Sequence, residues 1–101
     1  MILVYVICKD IKEGRKVGFA LLKNKLVACY NLWPIESACR WQSKIAKNKE
    51  AALLLKTVAK NYPSIEKLVK KCHSYQVPCI FSIKPDRIEK HYIQWLKTVT
   101  K

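Results

Sequence analysis

Acidic residues are scarce in this chain, and so are glycine and proline. Of its 101 residues 7 are Asp or Glu against 20 Lys or Arg, a formal charge of +13. Such an excess keeps a protein soluble, attracts anions, and leaves few partners for a paired-carboxylate reaction. The 2 Gly and 4 Pro, without a polar low-complexity stretch or an internal repeat, argue against disorder. No apolar run approaches the roughly twenty residues of a membrane-spanning helix. The longest, residues 1–8, has neither a basic region before it nor a small-residue cleavage site, so no membrane span and no export are expected. The cysteines, at positions 8, 29, 39, 72 and 79, are odd in number and form no Cys-x-x-Cys. That pattern speaks against a disulfide framework or a closed structural zinc site, and for reduced thiols in a cytoplasmic setting.

What is present is one compact domain, residues 1–101, half of it apolar. Residues 1–8 are rich in Ile, Val and Tyr and read as a buried strand. Asp10 and Glu13 stand at capping-box spacing, and Val17, Leu21 and Leu22 supply the stripe of a helix ending near Lys25, with Gly14 and Gly18 on the same side. Residues 26–45 predict one long strand bent at Pro34, and Lys47, Asn48 and Lys49 a hairpin turn. A strand at 51–58 follows, its consecutive Leu53, Leu54 and Leu55 marking burial on both faces. A second helix starts near Asn61, with Pro63 tolerated in its first turn, and carries Ile65, Leu68, Val69 and Cys72 on one stripe. Val77, Cys79, Phe81 and Ile83 alternate along an edge strand at 77–84. A last helix is expected from a capping box of Asp86 with Glu89, packed through Ile88, Tyr92, Trp95, Leu96 and Val99.

Strand, helix, strand, strand, helix, strand and a terminal helix is the split βαβ order of an α+β, ferredoxin-like fold, whose right-handed crossovers put the first two helices on one face. In that topology Cys8, Cys72, His73 and Cys79 gather at one end of the sheet and Cys29 falls at the other. Thiols and an imidazole together suit copper or zinc.

Leu26-Val27-Ala28-Cys29-Tyr30-Asn31, Pro34-Ile35, Trp41-Gln42-Ser43-Lys44-Ile45, Leu55-Lys56-Thr57, His73-Ser74-Tyr75-Gln76-Val77-Pro78 and Tyr92-Ile93-Gln94-Trp95-Leu96 follow one another along nearly the whole chain. In that order and spacing they resemble the CutA, or divalent cation tolerance, family. The resemblance implies a ferredoxin-like homotrimer, similar to the PII signalling proteins in architecture, with copper or another divalent ion bound in some bacterial members. It also implies metal ligands at a first-strand Cys and at a pair ending the second helix. The pair falls on Cys72 and His73; the strand position is Val6, and Cys8, two residues on, returns to the same face. The family's acidic residue after Val-Pro is Cys79 here. Other departures are Ile7-Cys8-Lys9-Asp10 for Thr-x-Pro-Asp, Cys39-Arg40 for Tyr-Trp, Ser43 for Gly, and Ser74 for Pro.

The expected function is therefore non-catalytic binding or tolerance of a divalent metal ion by a cytoplasmic homotrimer, with Cys8, Cys72 and His73 as the metal set. The alternative is a small-anion or nucleotide sensor in PII-like trimer clefts. Gly14-Arg15-Lys16-Val17-Gly18-Phe19 resembles the phosphate loop of acylphosphatases, but it continues a helical stripe, so its glycines read as close-packing positions. RNA-recognition sheets share the strand order; Glu50 to Lys56 here holds no aromatic to stack a base, and specific nucleic-acid binding is not expected.

Overall fold

A computed structural model describes residues 1–101. The chain runs β1 (Ile2–Cys8), α1 (Ile11–Lys23), β2 (Cys29–Trp41), β3 (Lys44–Thr57), a 3-10 turn (Ala59–Asn61), α2 (Tyr62–Cys72), β4 (Ile80–Ile83) and α3 (Lys90–Val99). The strands form one antiparallel sheet in the order β2-β3-β1-β4, the α+β arrangement expected of a split βαβ chain.

Strand alternation sends Val4, Val6 and Cys8 of β1 and Leu53 and Leu55 of β3 to one face, where they pack with Val17 and Leu21 of α1 and Ile65 and Val69 of α2. The expected glycine positions serve this packing. A Cβ on Gly14 would lie 2.5 Å from Leu32 Cδ1, a methyl that can turn aside, whereas one on Gly18 would lie 2.8 Å from the Tyr30 ring, so the approach of α1 to β2 depends most on Gly18. Gly14 to Phe19 is helix throughout and forms no phosphate loop.

Four expectations need correction. The hairpin turn is Gln42-Ser43, both at positive φ (50° and 64°), and not Lys47 to Lys49. A two-residue turn with both φ positive matches the twist of the flanking strands, and it starts β3 at Lys44, pairing Lys47 with Ala38 and Asn48 with Ser37. Second, β2 begins at Cys29 and pairs with β3 over its whole length to Trp41. Third, β4 is limited to Ile80–Ile83, and Ile80, not Phe81 or Ile83, packs on the core, because Ile80 stands opposite the buried Val6. Fourth, α3 is capped by Glu89, whose Oε1 accepts the Tyr92 N–H at 2.9 Å, and not by Asp86. Its buried anchor is Leu96, with Trp95 44 % exposed. Tyr92 touches Cys29 and lies under the Lys56 ammonium, both on the face opposite α1 and α2, so α3 covers one end of that second face.

Candidate functional site

The C-terminal end of β1 meets the start of α1 and the end of α2. Cys8 is the last residue of β1, and its inward register beside Val4 and Val6 buries the thiol completely. After a two-residue turn, Asp10 caps α1 by accepting the Glu13 N–H at 2.8 Å, while Glu13 Oε1 accepts the Lys9 N–H at 3.0 Å. This reciprocal capping box swings the Glu13 carboxylate back over Cys8. Helix α2 ends at Cys72, and His73 leaves it in extended conformation with its N–H still bonded to Val69 O. Its ring turns inward. Cys8 Sγ, a Glu13 oxygen and a His73 nitrogen then lie within 4.8 Å of one another.

Each member is also held by neighbours. His73 Nε2 lies 2.6 Å from Ile7 O and 3.6 Å from Glu13 Oε1, and His73 Nδ1 accepts the Tyr75 N–H at 3.0 Å. The accepting Nδ1 is unprotonated, which assigns the ring proton to Nε2 and the donated bond to Ile7 O. Glu13 Oε2 accepts the Ser74 N–H at 3.2 Å. Burial works to raise the Glu13 pKa, but the Lys9 N–H, the Ser74 side chain, the His73 ring and the Ser74 N–H together outweigh it, and the carboxyl is held below its ordinary value of 4.5. The Cys8 thiol goes the other way, pushed up to about 12 by burial first and then by the charges of Glu13 and Asp10.

Of the three residues expected as ligands, the structure brings Cys8 and His73 together and leaves Cys72 out. Cys72 packs on the core and lines a cleft between the helices. The third donor is Glu13, visible in the sequence only as a helix cap; the signal that could have found it is a capping-box carboxylate just beyond the tight turn that follows a strand ending in Cys8. Cys79 stands apart, its thiol raised by burial and by Glu50. Cys29 is at the far end, 3.7 Å from the Tyr92 hydroxyl.

Two openings flank the group. Between the helices is a cleft of about 330 Å³ lined by Lys9, Asp10, Lys12, Glu13, Lys16 and Cys72. On the sheet side a groove of about 970 Å³ runs from Cys79 and Tyr75 to the hairpin, and the Tyr75 hydroxyl donates to Glu50 at 2.7 Å within it. Glu36 and Glu50 line that groove and no Lys or Arg does. This groove offers no cation to an anion, whereas the cleft between the helices presents Lys9, Lys12 and Lys16.

The CutA1 divalent ion tolerance protein family matches residues 2–99. The divalent-cation tolerance protein CutA of Pyrococcus horikoshii is 36 % identical over 101 residues, covering 100 % of this chain and 99 % of its own. That of Archaeoglobus fulgidus is 33 % identical over 93 residues, 92 % of this chain and 91 % of its own. The crystal structure of CutA1 from Pyrococcus horikoshii superposes with a TM-score of 0.95 at 35 % identity, over 100 % of this chain and 99 % of that one. The divalent cation tolerance protein of Thermus thermophilus does so with 0.95 at 30 % identity, over 100 % of both chains.

Proposed function

This chain belongs to the CutA1 divalent ion tolerance protein family, and from that premise we propose that it binds a metal ion of the copper or zinc class at Cys8, Glu13 and His73, as a non-catalytic cytoplasmic protein of three copies. The observation that carries the reading is the convergence of a thiol, a carboxylate and an imidazole, from three separate elements, within 4.8 Å. Sulfur, nitrogen and oxygen donors in this combination are those that zinc and copper take. A bound ion supplies there a positive charge that offsets the two anionic donors.

The chain's own part is to release protons and re-form bonds. The Cys8 thiol must lose its proton, which burial opposes, so binding weakens as pH falls. An ion held through Nε2 would require the His73 ring proton on Nδ1, and the Tyr75 N–H would then lose its acceptor. Occupancy is thereby tied to the latch between His73 and Tyr75, and through the Tyr75 hydroxyl to Glu50 on β3.

Titration of the reduced, anaerobic protein with Zn(II) or Cu(I) tests the site. Cys8→Ser, Glu13→Gln and His73→Ala should each weaken binding by about tenfold or more. Cys29→Ser, at the opposite end, should leave it unchanged. Absence of binding by the parent, or equal binding by all variants, overturns the reading.

Support for three copies is the uncovered second face. Trp33, Phe81, Ile83 and Trp95 are each about 40 to 45 % exposed, and large apolar side chains left to water together are a mark of a contact surface. Beyond the Cys8–Ala51 pair, β2 and β3 continue as a ribbon that β1 does not join. Edges of this kind are closed by neighbouring copies in a ring.

A further inference from the structure

Resting on the reading of Cys8, Glu13 and His73 as a metal site, we propose that the ion reaches it as an anionic chelate, already held by a carboxylate or thiolate carrier, and not as the bare hydrated cation. The three donors are closed off almost entirely. Cys8 is 0 % exposed and the His73 side chain likewise, and Glu13 alone keeps some surface, 7 %. Glu13 also lines the cleft between the helices, which makes that cleft the approach to the group.

The mouth of this cleft carries the wrong charge for a free metal cation. Lys9 lies in the turn before α1, and Lys12 and Lys16 stand one helical turn apart on it, all three exposed. Two acids stand among them: Asp10, which caps α1 through Oδ1, and Glu13, which is turned inward, so three cations face two anions and the lining keeps a net positive charge. On the neighbouring end of α2, Lys70 is paired with Glu66, while Lys71 adds a further exposed cation. Around this mouth stands a chain of net +13. A divalent aquo ion is repelled by such a field, whereas a complex of net negative charge is drawn into it.

The lysines then do for the carrier what they cannot do for the metal. Their ammonium groups pair with the carrier's free carboxylates and hold the complex against Glu13. Transfer is ligand exchange: each bond that Glu13, His73 or Cys8 forms to the ion replaces one carrier bond. The Cys8 proton passes to the released carrier or to water, and no electron changes hands. The cleft therefore selects the metal's carrier, while the buried donors select the metal.

Stopped-flow association of the reduced protein with Zn(II) tests this, the ion being offered either as the hydrated ion in a non-coordinating buffer or as its anionic citrate complex. At low salt the citrate complex should bind faster, by roughly tenfold or more, and its rate should fall as salt is added while that of the hydrated ion rises. Lys12→Glu with Lys16→Glu, both exposed, should slow the citrate complex and speed the hydrated ion. Opposite signs are a result that general loss of structure does not produce, and the milder Lys12→Gln with Lys16→Gln should move both rates in the same directions by less. If the lysine variants leave both rates unchanged while Cys8→Ser still weakens equilibrium binding, the delivery proposal falls and the site stands. If the parent binds no zinc from either source, both fall.

Discussion

Glu13 joins two parts of the molecule that are distant in sequence. It accepts from Lys9, four residues before it, and from Ser74, 61 residues after it, tying the β1–α1 turn to the segment beyond α2. Its carboxyl is held below 4.5 in the folded chain, so its stabilisation is complete above the unfolded value and is lost as pH falls through the lower folded one. Glu13→Gln should thus be less stable than the parent at neutral pH, by about 1 to 3 kcal/mol for buried donors left poorly matched. Below pH 4.5 the parent's stability should fall and the variant's should stay flatter, a difference that urea midpoints measured against pH would reveal. Half of this role was legible in the sequence. The Asp10–Glu13 spacing announces the cap, but a contact to Ser74 has no local pattern, and the family resemblance puts the ligand pair that ends the second helix on Cys72 and His73. Successive helical residues point about 100° apart, and that rotation sends Cys72 to the core while the chain's extended exit turns His73 inward.

At the scale of elements, the hairpin turn is the clearest point of strain. Gln42 and Ser43 both occupy the left-handed region, where a Cβ costs about 1 kcal/mol per residue. Ser43→Gly should stabilise the protein by roughly 0.5 to 1 kcal/mol without altering the sheet, seen as a raised melting temperature with unchanged circular dichroism. Residue type does not mark this turn. Lys47-Asn48-Lys49 has the polar, asparagine-containing look of a turn and Gln42-Ser43 does not. Register decides instead: the Ile35–Glu50 pairing and the ladder beyond it carry both strands outward until only two residues remain to connect them. The terminal helix gave a similar ambiguity, since Asp86 and Glu89 are both acids able to cap. The long, strongly patterned elements β1, α1 and α2 were legible because each buries a single stripe on one core.

The whole molecule measures 45 × 27 × 21 Å, long because its ribbon runs past the body of the sheet. Topology was readable from the order of elements, whereas the face that α3 covers was not, because helical periodicity tells which side of a helix is apolar and not which side of a sheet receives it. Leu96 and Trp95 separate folding from assembly. Leu96 is 0 % exposed, and Leu96→Ala should cost about 2 to 5 kcal/mol of protomer stability in denaturant melts. Trp95→Ala should leave the fold in place and shift sedimentation from the three copies proposed above towards smaller species, since its exposed ring adds to the uncovered face. A stable single-copy parent at micromolar concentration would contradict the assembly. The ribbon from Glu36 to Lys49 has a further consequence for time scales of opening. An isolated two-stranded ribbon is marginal in water, so in a dilute solitary chain its amide hydrogens should exchange with deuterium orders of magnitude faster than those of Val4 and Val6. In an assembled ring the two rates should converge, and the ribbon's exchange rate becomes a clock for how often a copy lets go of its neighbour.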